Sequence, residues 1–538
     1  MSKLKYIFIS GGVISGIGKG ITSASVAYLL QSSGYRVTPV KFEGYLNIDA
    51  GTINPIEHGD PFLCEDGTET DMDIGSYEKF LGRNMNKDNF VTMGQVYRDI
   101  IKKERSFEYN GEDVEAVHIS NEIIEKIQKV GKNQNAEIVL IELGGTAGEY
   151  WNVFFYEASR ILTLRYPGDV IHIHVSYVPT PQHLGEPKTK PTQLSVRTLN
   201  SMGVQPDFIV ARSNTYIDQR RRDRFALFCN VRGEDIISNP DCKSVYEIPH
   251  ILHKQEFDKK IVNKLGLAYK EPNLEQLKML LKSIKVTKKT KKEIVIVGKY
   301  FGTGEYQLKD SYAALFDAID HASWKVEVAV KTKWVDAEQI EKKGVDIIGK
   351  PDGIIVPIGW GKRGAEGMIA AANYAREQKI PYLGLCYGMQ LAVIAFARNV
   401  LGWTDADTTE NNFKTKHPVI HLIPDQEKIL KARSYGGSMR LGGWDAIIKN
   451  NTKAWEIYRT TLTNERHRHR WEFNNAYTKD FEDKGLIISA RSKIENLVEI
   501  IELPSSVHPF YMGTQGHPEY KSSPWKPHPI FLSFIKAL

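Results

Sequence analysis

Cysteine is scarce: the 538 residues include four, Cys64, Cys229, Cys242 and Cys386. No two stand at zinc-ligand spacing and so few give no dense disulfide framework, which excludes a zinc ribbon and a small disulfide-stapled scaffold. Long apolar runs are missing as well. The run in MSKLKYIFISGG breaks at Gly11, too short for a secretory signal, and no other approaches the roughly 20 residues of a membrane span. A cytoplasmic protein with no membrane partner is expected. Charge of one sign is not in excess either, since 71 basic and 65 acidic side chains leave +6. That is small for this length, so no nucleic-acid partner is expected, while anionic small molecules remain compatible. What is present is a composition 41% hydrophobic and 25% charged, in a chain long enough for two or three compact units, as in a folded enzyme.

KYIFIS (5–10) has the pattern of a buried strand; it ends in glycines and leads into ITSASVAYLL, which has helical spacing. AEIVLIELGG (136–145) and DVIHIHVSYV (169–178) are short β-branched runs of the kind that parallel sheets bury. Residues 271–292, EPNLEQLKMLLKSIKVTKKTKK, combine a short amphipathic helix with lysines at 282, 285, 288, 289, 291 and 292. Such a run is a solvated linker more simply than a phosphate-binding patch. Beyond it EIVIVGKY (293–300), DGIIVPIGW (352–360) and IPYLGLCYGMQ (380–390) restart the strand pattern, with helical stretches between. The fold class expected is α/β, in two doubly wound domains with mainly parallel sheets, over 1–270 and 293–538, without internal repeats.

In PYLGLCYGMQLAVIAFA a strand should stop at Leu385 and a helix begin after Cys386, with Gly384 and Gly388 on either side. Flanking glycines are what a sharp strand-to-helix turn needs, as in the nucleophile elbow, here with sulfur in place of oxygen. Cys386 should then stand exposed at the carboxyl edge of the sheet, beside a helix amino terminus that favours the negative charge of a thiolate. Its base and orienting group are supplied by GTQGHPEYKSSP, with His517 and Glu519 on one face of an extended segment. The plain alternative is a buried small hydrophobe and a surface turn. The paired His and Glu together with the glycine-flanked turn favour catalysis.

GLCYGMQ together with HPE resembles the class I glutamine amidotransferases, which hydrolyse glutamine through a glutamyl thioester and release ammonia inside the protein. GKRGAEG (361–367), GGSMRLG (436–442) and ERHRHRWEFN (465–474) are similar, more narrowly, to the CTP synthase glutaminase domain. The resemblance implies that Gly359, Tyr387, Gly388, Met389, Gln390, Glu410 and Arg470 contact glutamine. RHRHR alone could equally be a solvated basic strand face or a phosphate patch, although its arginine can pair a substrate carboxylate in bidentate fashion. Where the family has Pro-Gly-Gly-Phe-Gly, this chain has Pro357-Ile358-Gly359-Trp360-Gly361. If the Gly359 N–H serves an oxyanion hole, as the family suggests, Ile358 demands ordinary backbone just before it.

At the amino terminus GGVISGIGKG (11–20) joins a strand to a helix and carries Lys19 at the helix start, the arrangement in which backbone N–H groups cradle phosphates. It departs from a strict P-loop: Val13 stands where the first glycine belongs, and Gly20 replaces the metal-binding hydroxyl residue. Carboxylates for magnesium must then come from elsewhere. Asp73, in EDGTETDMDIGSYE (65–78), is the first choice and Glu142, at the end of a buried strand, the second, while most of that acidic stretch reads as solvated. KTKPTQ (188–193) offers lysines, hydroxyls and an amide for a second triphosphate.

In order, GGVISGIGKG, KFEGYLNIDAGTINPIEHGD, EDGTETDMDIG, IELGGTAGE, KTKPTQ and RFALFCNV resemble the CTP synthase ligase domain, so the likeness spans nearly the whole chain. It implies a P-loop-like ligase domain that binds ATP on Gly16, Ile17, Gly18, Lys19, Gly20, Ile21, Asp73 and Asp241, with Mg²⁺ on Asp73 and Glu142. UTP or CTP would lie on Ser15, Glu149, Lys188, Thr189, Lys190, Pro191, Thr192, Gln193 and Arg224, the last where the family has lysine. Lys41 matches a family lysine near this site. The implied reaction is ATP-driven amination of UTP at C4 by ammonia from Cys386, in a homotetramer that can form filaments, with GTP as activator. The family's Gly-Asp-Ile-Glu is here Gly148-Glu149-Tyr150-Trp151, and its Gln-Val-x-Pro-His is Glu115-Ala116-Val117-His118. These segments bind the feedback inhibitor CTP in the family, so altered product inhibition is expected. An amidoligase for another nucleotide-like carbonyl and a regulatory paralogue are the alternatives; retention of both sets of site residues argues against the second.

Overall fold

The computed structural model describes residues 4–54, 59, 61–285, 291–303, 306–307, 309–424, 426 and 436–538. Of the stretches read above, residues 1–3, 55–58, 60 and 286–290, with the lysines at 288 and 289, lie outside the described residues. The chain divides into two compact units, one of residues 1–48 and 76–281, the other of 49–75 and 282–538. Each is described by itself. None of the described helices is long and apolar enough to cross a membrane.

The first unit is built on seven strands: β1 (Lys5–Gly12), β2 (Val37–Glu43), β3 (Phe90–Thr92), β4 (Ile138–Leu143), β5 (Val170–Tyr177), β6 (Phe208–Ser213) and β7 (Ile236–Pro240). They run in the order β3-β2-β4-β1-β5-β6-β7, every neighbouring pair parallel. Because parallel strands are covered by helices on both faces, β4 is buried throughout. The chain fills one side of β1 and then returns past it to fill the other. The carboxyl ends of β1, β4 and β5 therefore border a topological switch point, where ligands of such sheets bind.

The main sheet of the second unit has nine strands among the described residues: β8 (Lys291–Gly298), β9 (Ala329–Asp336), β10 (Gly353–Val356), β11 (Tyr382–Leu385), β12 (Arg440–Ile448), β13 (Leu462–His469), β14 (Ile487–Ser492), β15 (Val498–Glu502) and β16 (Tyr511–Thr514). Their order is β9-β8-β10-β11-β16-β15-β14-β12-β13. The first five are parallel. The other four extend the sheet antiparallel, so that part of it departs from the parallel pattern expected. Alternate residues of β8 feed cores on opposite faces, Val295 and Val297 on one, Ile294 and Ile296 on the other.

Most of the linker expected over 271–292 is regular structure. A helix spans Glu275–Lys285 and buries Leu277, Leu280 and Leu281, β8 already begins at Lys291, and the unit boundary falls between Leu281 and Lys282.

Candidate active sites

In the first unit the glycine-rich loop leaves β1 and enters α1 (Lys19–Ser32) through Gly18, at φ +86°. Gly16 is also left-handed, and so is Val13, at φ 80°. Val13 thus keeps the backbone that a P-loop glycine would supply, at the strain a β-branched residue bears there. Ser15 and Gly16 are exposed, Ile17 is buried, and Gly20 and Ile21 lie in the first helical turn. Lys19 is buried and donates through Nζ to the Gly145 carbonyl at 2.6 Å. A side chain at Gly11 would meet Lys19 at 2.7 Å, which accounts for that glycine.

Parallel pairing puts Lys41 of β2 opposite Glu142 of β4. The Lys41 ammonium lies 2.7 Å from Glu142 and 3.2 Å from Glu43, and Tyr77 donates to the second Glu142 oxygen. Glu142 is fully buried, so these donors offset its desolvation. Nothing in the sequence marked His174, whose imidazole bridges Ser10 and Ser195 at 2.9 Å each. Burial, reinforced by the charge of Lys19, lowers this imidazole to about 3 and keeps it neutral.

The other residues expected to hold nucleotide are distributed more widely. Thr189 immediately precedes the helix Lys190–Ser201 without a side-chain cap, and Pro191 lies in its first turn. Thr192 and Gln193 are buried and engaged internally, Thr192 with Ser176 and Gln193 with Thr189. Lys188 pairs with Glu186 at 2.5 Å, Asp241 with Arg212 at 2.7 Å, and Glu149 accepts from the N–H and hydroxyl of Thr146. Arg224 is exposed on the helix Gln219–Cys229. Asp73 lies in the first turn of the helix Met72–Leu81, within the 49–75 segment that groups with the second unit, so no single unit brings it together with Glu142. Among the described residues no group of three or more His, Cys, Asp or Glu could hold a metal ion.

In the second unit Cys386 stands between β11 and the helix Tyr387–Asn399 at φ 52°, ψ −100°, the strained conformation of a nucleophile elbow. The flanking glycines are required by space. A Cβ on Gly388 would lie 1.9 Å from the Val356 carbonyl oxygen, and one on Gly384 2.7 Å from the Gly388 backbone. One expectation is corrected: Cys386 is buried, with 2% of its surface accessible. The ERHRHR strand and Gln515 close over the sulfur, which lies 3.8 Å from the Arg468 carbonyl and 3.4 Å from Gln515 Nε2.

His517 Nδ1 and Glu519 Oε1 are 2.7 Å apart and buried. They meet across a tight 3-10 turn, Pro518–Lys521, rather than along the extended segment expected, because Pro518 fixes a helical φ immediately after the histidine. Burial alone would lower the imidazole, but the Glu519 carboxylate and the Cys386 sulfur outweigh it and hold it up at about 10. Its buried Nε2 has no hydrogen-bond partner of ordinary geometry among the described residues.

Beside the nucleophile, Gly361 organises the expected glutamine contacts. Its N–H donates to Glu410 at 2.8 Å, and its carbonyl accepts from Tyr387 Oη at 2.9 Å and from Lys299 Nζ at 2.7 Å. Lys299 also reaches the Trp360 carbonyl at 2.6 Å and lies over the Tyr387 ring. Nothing in GKY marked it; only its place at the end of β8 puts it under this loop. Burial lowers its ammonium to about 8 and raises the Glu410 carboxyl to about 7. Ile358 is buried with ordinary φ, so the substitution before Gly359 costs no backbone strain. Met389 and Gln390 donate their N–H groups to the Cys386 carbonyl in the helix's first turn. Arg470 reaches Gln426 at 2.5 Å and Ser438 at 3.0 Å.

RHRHR is neither solvated nor a phosphate patch. Arg466 is 0% and Arg468 3% accessible, and they pair with Glu65 at 3.1 Å and Glu69 at 2.6 Å. The stretch read as solvated acid supplies the counter-charges of this basic strand.

Residues 5–267 match the family described as CTP synthase N-terminus, and residues 307–537 match glutamine amidotransferase class-I. A CTP synthase of Caldanaerobacter subterraneus subsp. tengcongensis is 46% identical over 537 residues, covering 99% of this chain and 98% of that protein. Those of Pyrococcus abyssi and Sulfolobus acidocaldarius are 45% and 46% identical over 536 residues, covering 99% of this chain and 97% and 99% of theirs. Among solved structures, the glutaminase domain of Trypanosoma brucei CTPS with bound acivicin matches with a TM-score of 0.41 and 36% identity, over 46% of this chain and 92% of that one.

Proposed function

The chain belongs to the CTP synthase family, and on that premise we propose how its residues divide the work of glutamine-dependent, ATP-driven conversion of UTP to CTP. The observation that carries the reading is the buried Cys386, His517 and Glu519 at the elbow.

Cys386 attacks the side-chain carbonyl of glutamine, and the amide nitrogen leaves as ammonia with a proton from His517. Water, giving a proton to His517, then displaces sulfur from the glutamyl thioester and yields glutamate. Glu519 keeps the imidazole oriented through both transfers. The Glu519 carboxylate and the Cys386 sulfur favour the charged form of His517, which readies it to give a proton to the leaving nitrogen. Glu410 and Arg470 receive the substrate's ammonium and carboxylate, and the N–H groups of Gly359 and Tyr387 receive the developing oxyanion.

In the ligase unit the uracil O4 takes the γ-phosphoryl group of ATP, releasing ADP; ammonia then adds at C4 and phosphate leaves with the oxygen. The glycine-rich loop through Ile21, with Lys19, holds the ATP phosphates, joined by Asp241. Ser15, Glu149, residues 188–193 and Arg224 hold UTP. Glu142 fits a magnesium ion, since each of its oxygens carries a single protein donor and retains a lone pair. Asp73, by the resemblance, would be a further hard oxygen ligand of the kind that suits magnesium beside nucleotide phosphates. When bound, that ion neutralises phosphate charge.

We place the reaction in the cytoplasm, in a homotetramer capable of filaments, with GTP as activator. Exposed apolar side chains at Val114, Val117, Tyr150 and Val153 support a self-association surface. The test is product analysis with UTP, ATP, Mg²⁺ and either glutamine or ammonium chloride. Cys386→Ala is expected to lose CTP formation from glutamine and regain it with ammonium. Loss with both nitrogen sources would overturn the assignment of Cys386 as the ammonia source only.

A further inference from the structure

Gln515 lies two residues before His517 and is fully buried. Its Nε2 is 3.4 Å from Cys386 Sγ, and its Oε1 accepts from Gln390 Nε2 at 3.2 Å. The same Gln390 nitrogen donates to the Trp471 carbonyl at 2.7 Å. A backbone carbonyl can only accept, so it fixes which end of the Gln390 amide faces it. Gln390 then presents N–H to Gln515, which must answer with oxygen and turn its own NH₂ towards the sulfur. The direction of both amides follows from a main-chain group. The Gln515 backbone is held as well, by its N–H to the Glu499 carbonyl at 2.8 Å.

We propose that Gln515 is a further catalytic residue of glutamine hydrolysis, one whose side-chain NH₂ stabilises negative charge on Cys386 Sγ, with Gln390 as its positioning residue. This rests on the reading of Cys386 as the nucleophile. The sulfur lies between two groups that sort its protonation states. Arg468's carbonyl, at 3.8 Å, can only accept and so suits S–H; the Gln515 amide donates and so suits S⁻. Helix geometry leaves the site no closer main-chain donor from Met389 or Gln390, whose N–H groups are already bonded to the Cys386 carbonyl.

The donor serves the cycle twice. It favours the thiolate before attack. When water has added to the thioester carbon and the C–S bond breaks, the electron pair returns to sulfur, and the same NH₂ receives the charge while His517 holds the proton from water. Sulfur bound in the thioester is a weak acceptor, so the thioester gains less than the transition state of C–S cleavage, in which charge develops on sulfur, and that difference speeds the hydrolytic step.

The test is the pH profile of iodoacetamide alkylation at Cys386 in the full-length protein, read by peptide mass, beside glutaminase kcat. In Gln515→Met the midpoint of alkylation is expected to rise by about one pH unit, a tenfold loss of thiolate, with kcat falling at least tenfold. Gln390→Met, which frees the Gln515 amide to rotate, is expected to shift the midpoint the same way by less. A folded Gln515→Met protein, judged by thermal unfolding, with an unshifted midpoint would overturn the proposal, and if that variant does not fold an unshifted midpoint in Gln390→Met does so. No alkylation at Cys386 in the unsubstituted protein at any pH would instead overturn the reading of the nucleophile.

Discussion

The Arg468 guanidinium meets the Glu69 carboxylate at 2.6 Å with both side chains almost completely buried, although 399 residues separate them. The same guanidinium lies over the Trp360 ring, 4.6 Å from its centre, and its backbone carbonyl faces the Cys386 sulfur. One arginine thus joins the 49–75 segment, the glutamine loop and the nucleophile.

Removing one member of a buried pair strands the other charge, which costs about 3–5 kcal/mol. Glu69→Ala is therefore expected to lower the unfolding midpoint of the second unit in denaturant titration. Arg468, no longer anchored by the carboxylate, should shift from the Trp360 ring, loosen the loop and raise KM for glutamine. An exposed pair such as Arg105 with Glu104, removed in parallel, should leave stability nearly unchanged, because solvent screens it.

Glutamine binding should follow the ionisation of Glu410. Burial raises this carboxyl to about 7, opposed by the Gly361 N–H and the Lys299 charge. Glutamine's ammonium needs the carboxylate, so KM is expected to fall as pH rises from about 6 to 8, and Glu410→Gln should remove the slope and raise KM at least tenfold. The stability effect has the opposite sense. Folded Glu410 holds its proton to higher pH than the unfolded carboxyl, so stability declines as pH rises from about 4.5 to about 7, and the Gln variant lacks that component.

Lys299→Met should loosen the loop it supports. It removes charge-assisted bonds to the Trp360 and Gly361 carbonyls, so a rise of about tenfold or more in KM for glutamine is expected, with a smaller change in kcat. Isothermal titration with glutamine on Cys386→Ala with and without Lys299→Met measures the difference directly.

CTP feedback should be weak. Trp151, 56% accessible, stands where the resemblance in sequence implies a carboxylate, and Glu149 is already engaged by Thr146. Trp151→Glu is expected to tighten CTP inhibition by about tenfold, or about 1.4 kcal/mol, in inhibition curves at fixed UTP. An inhibition constant unchanged by the substitution would remove Trp151 from the explanation.

Local order made much of this legible. The alternation of short β-branched runs with helical spacing, and glycines at Gly384 and Gly388, specify a strand-turn-helix wherever they occur, and the elbow is where they place it. His517 and Glu519 were found by proximity in sequence, although Pro518 bends the segment that was to hold them. What local pattern did not carry is pairing at a distance. Glu65 and Glu69 read as solvated because their partners lie some 400 residues away, and charged residues without local partners are ordinarily outside. Lys299 and His174 were hidden for a related reason, since each gains its role from a neighbouring strand's register. Cys386 was expected at the surface because an elbow exposes its nucleophile to the sheet edge, and the antiparallel extension of the sheet, together with Gln515, covers it.

The insertion of residues 49–75 into the second unit has a consequence for dissecting the protein. A fragment that begins at β8 contains every residue of the Cys386 site, yet it leaves Arg466 and Arg468 with the acids that neutralise them cut away. Separated in this way, the hydrolase half would carry two uncompensated cations beside its own nucleophile. Adding residues 49–75 back as a free peptide should restore what the cut removed. The ribosome makes this segment before any other part of that half, so the counter-charges are waiting when the arginines emerge.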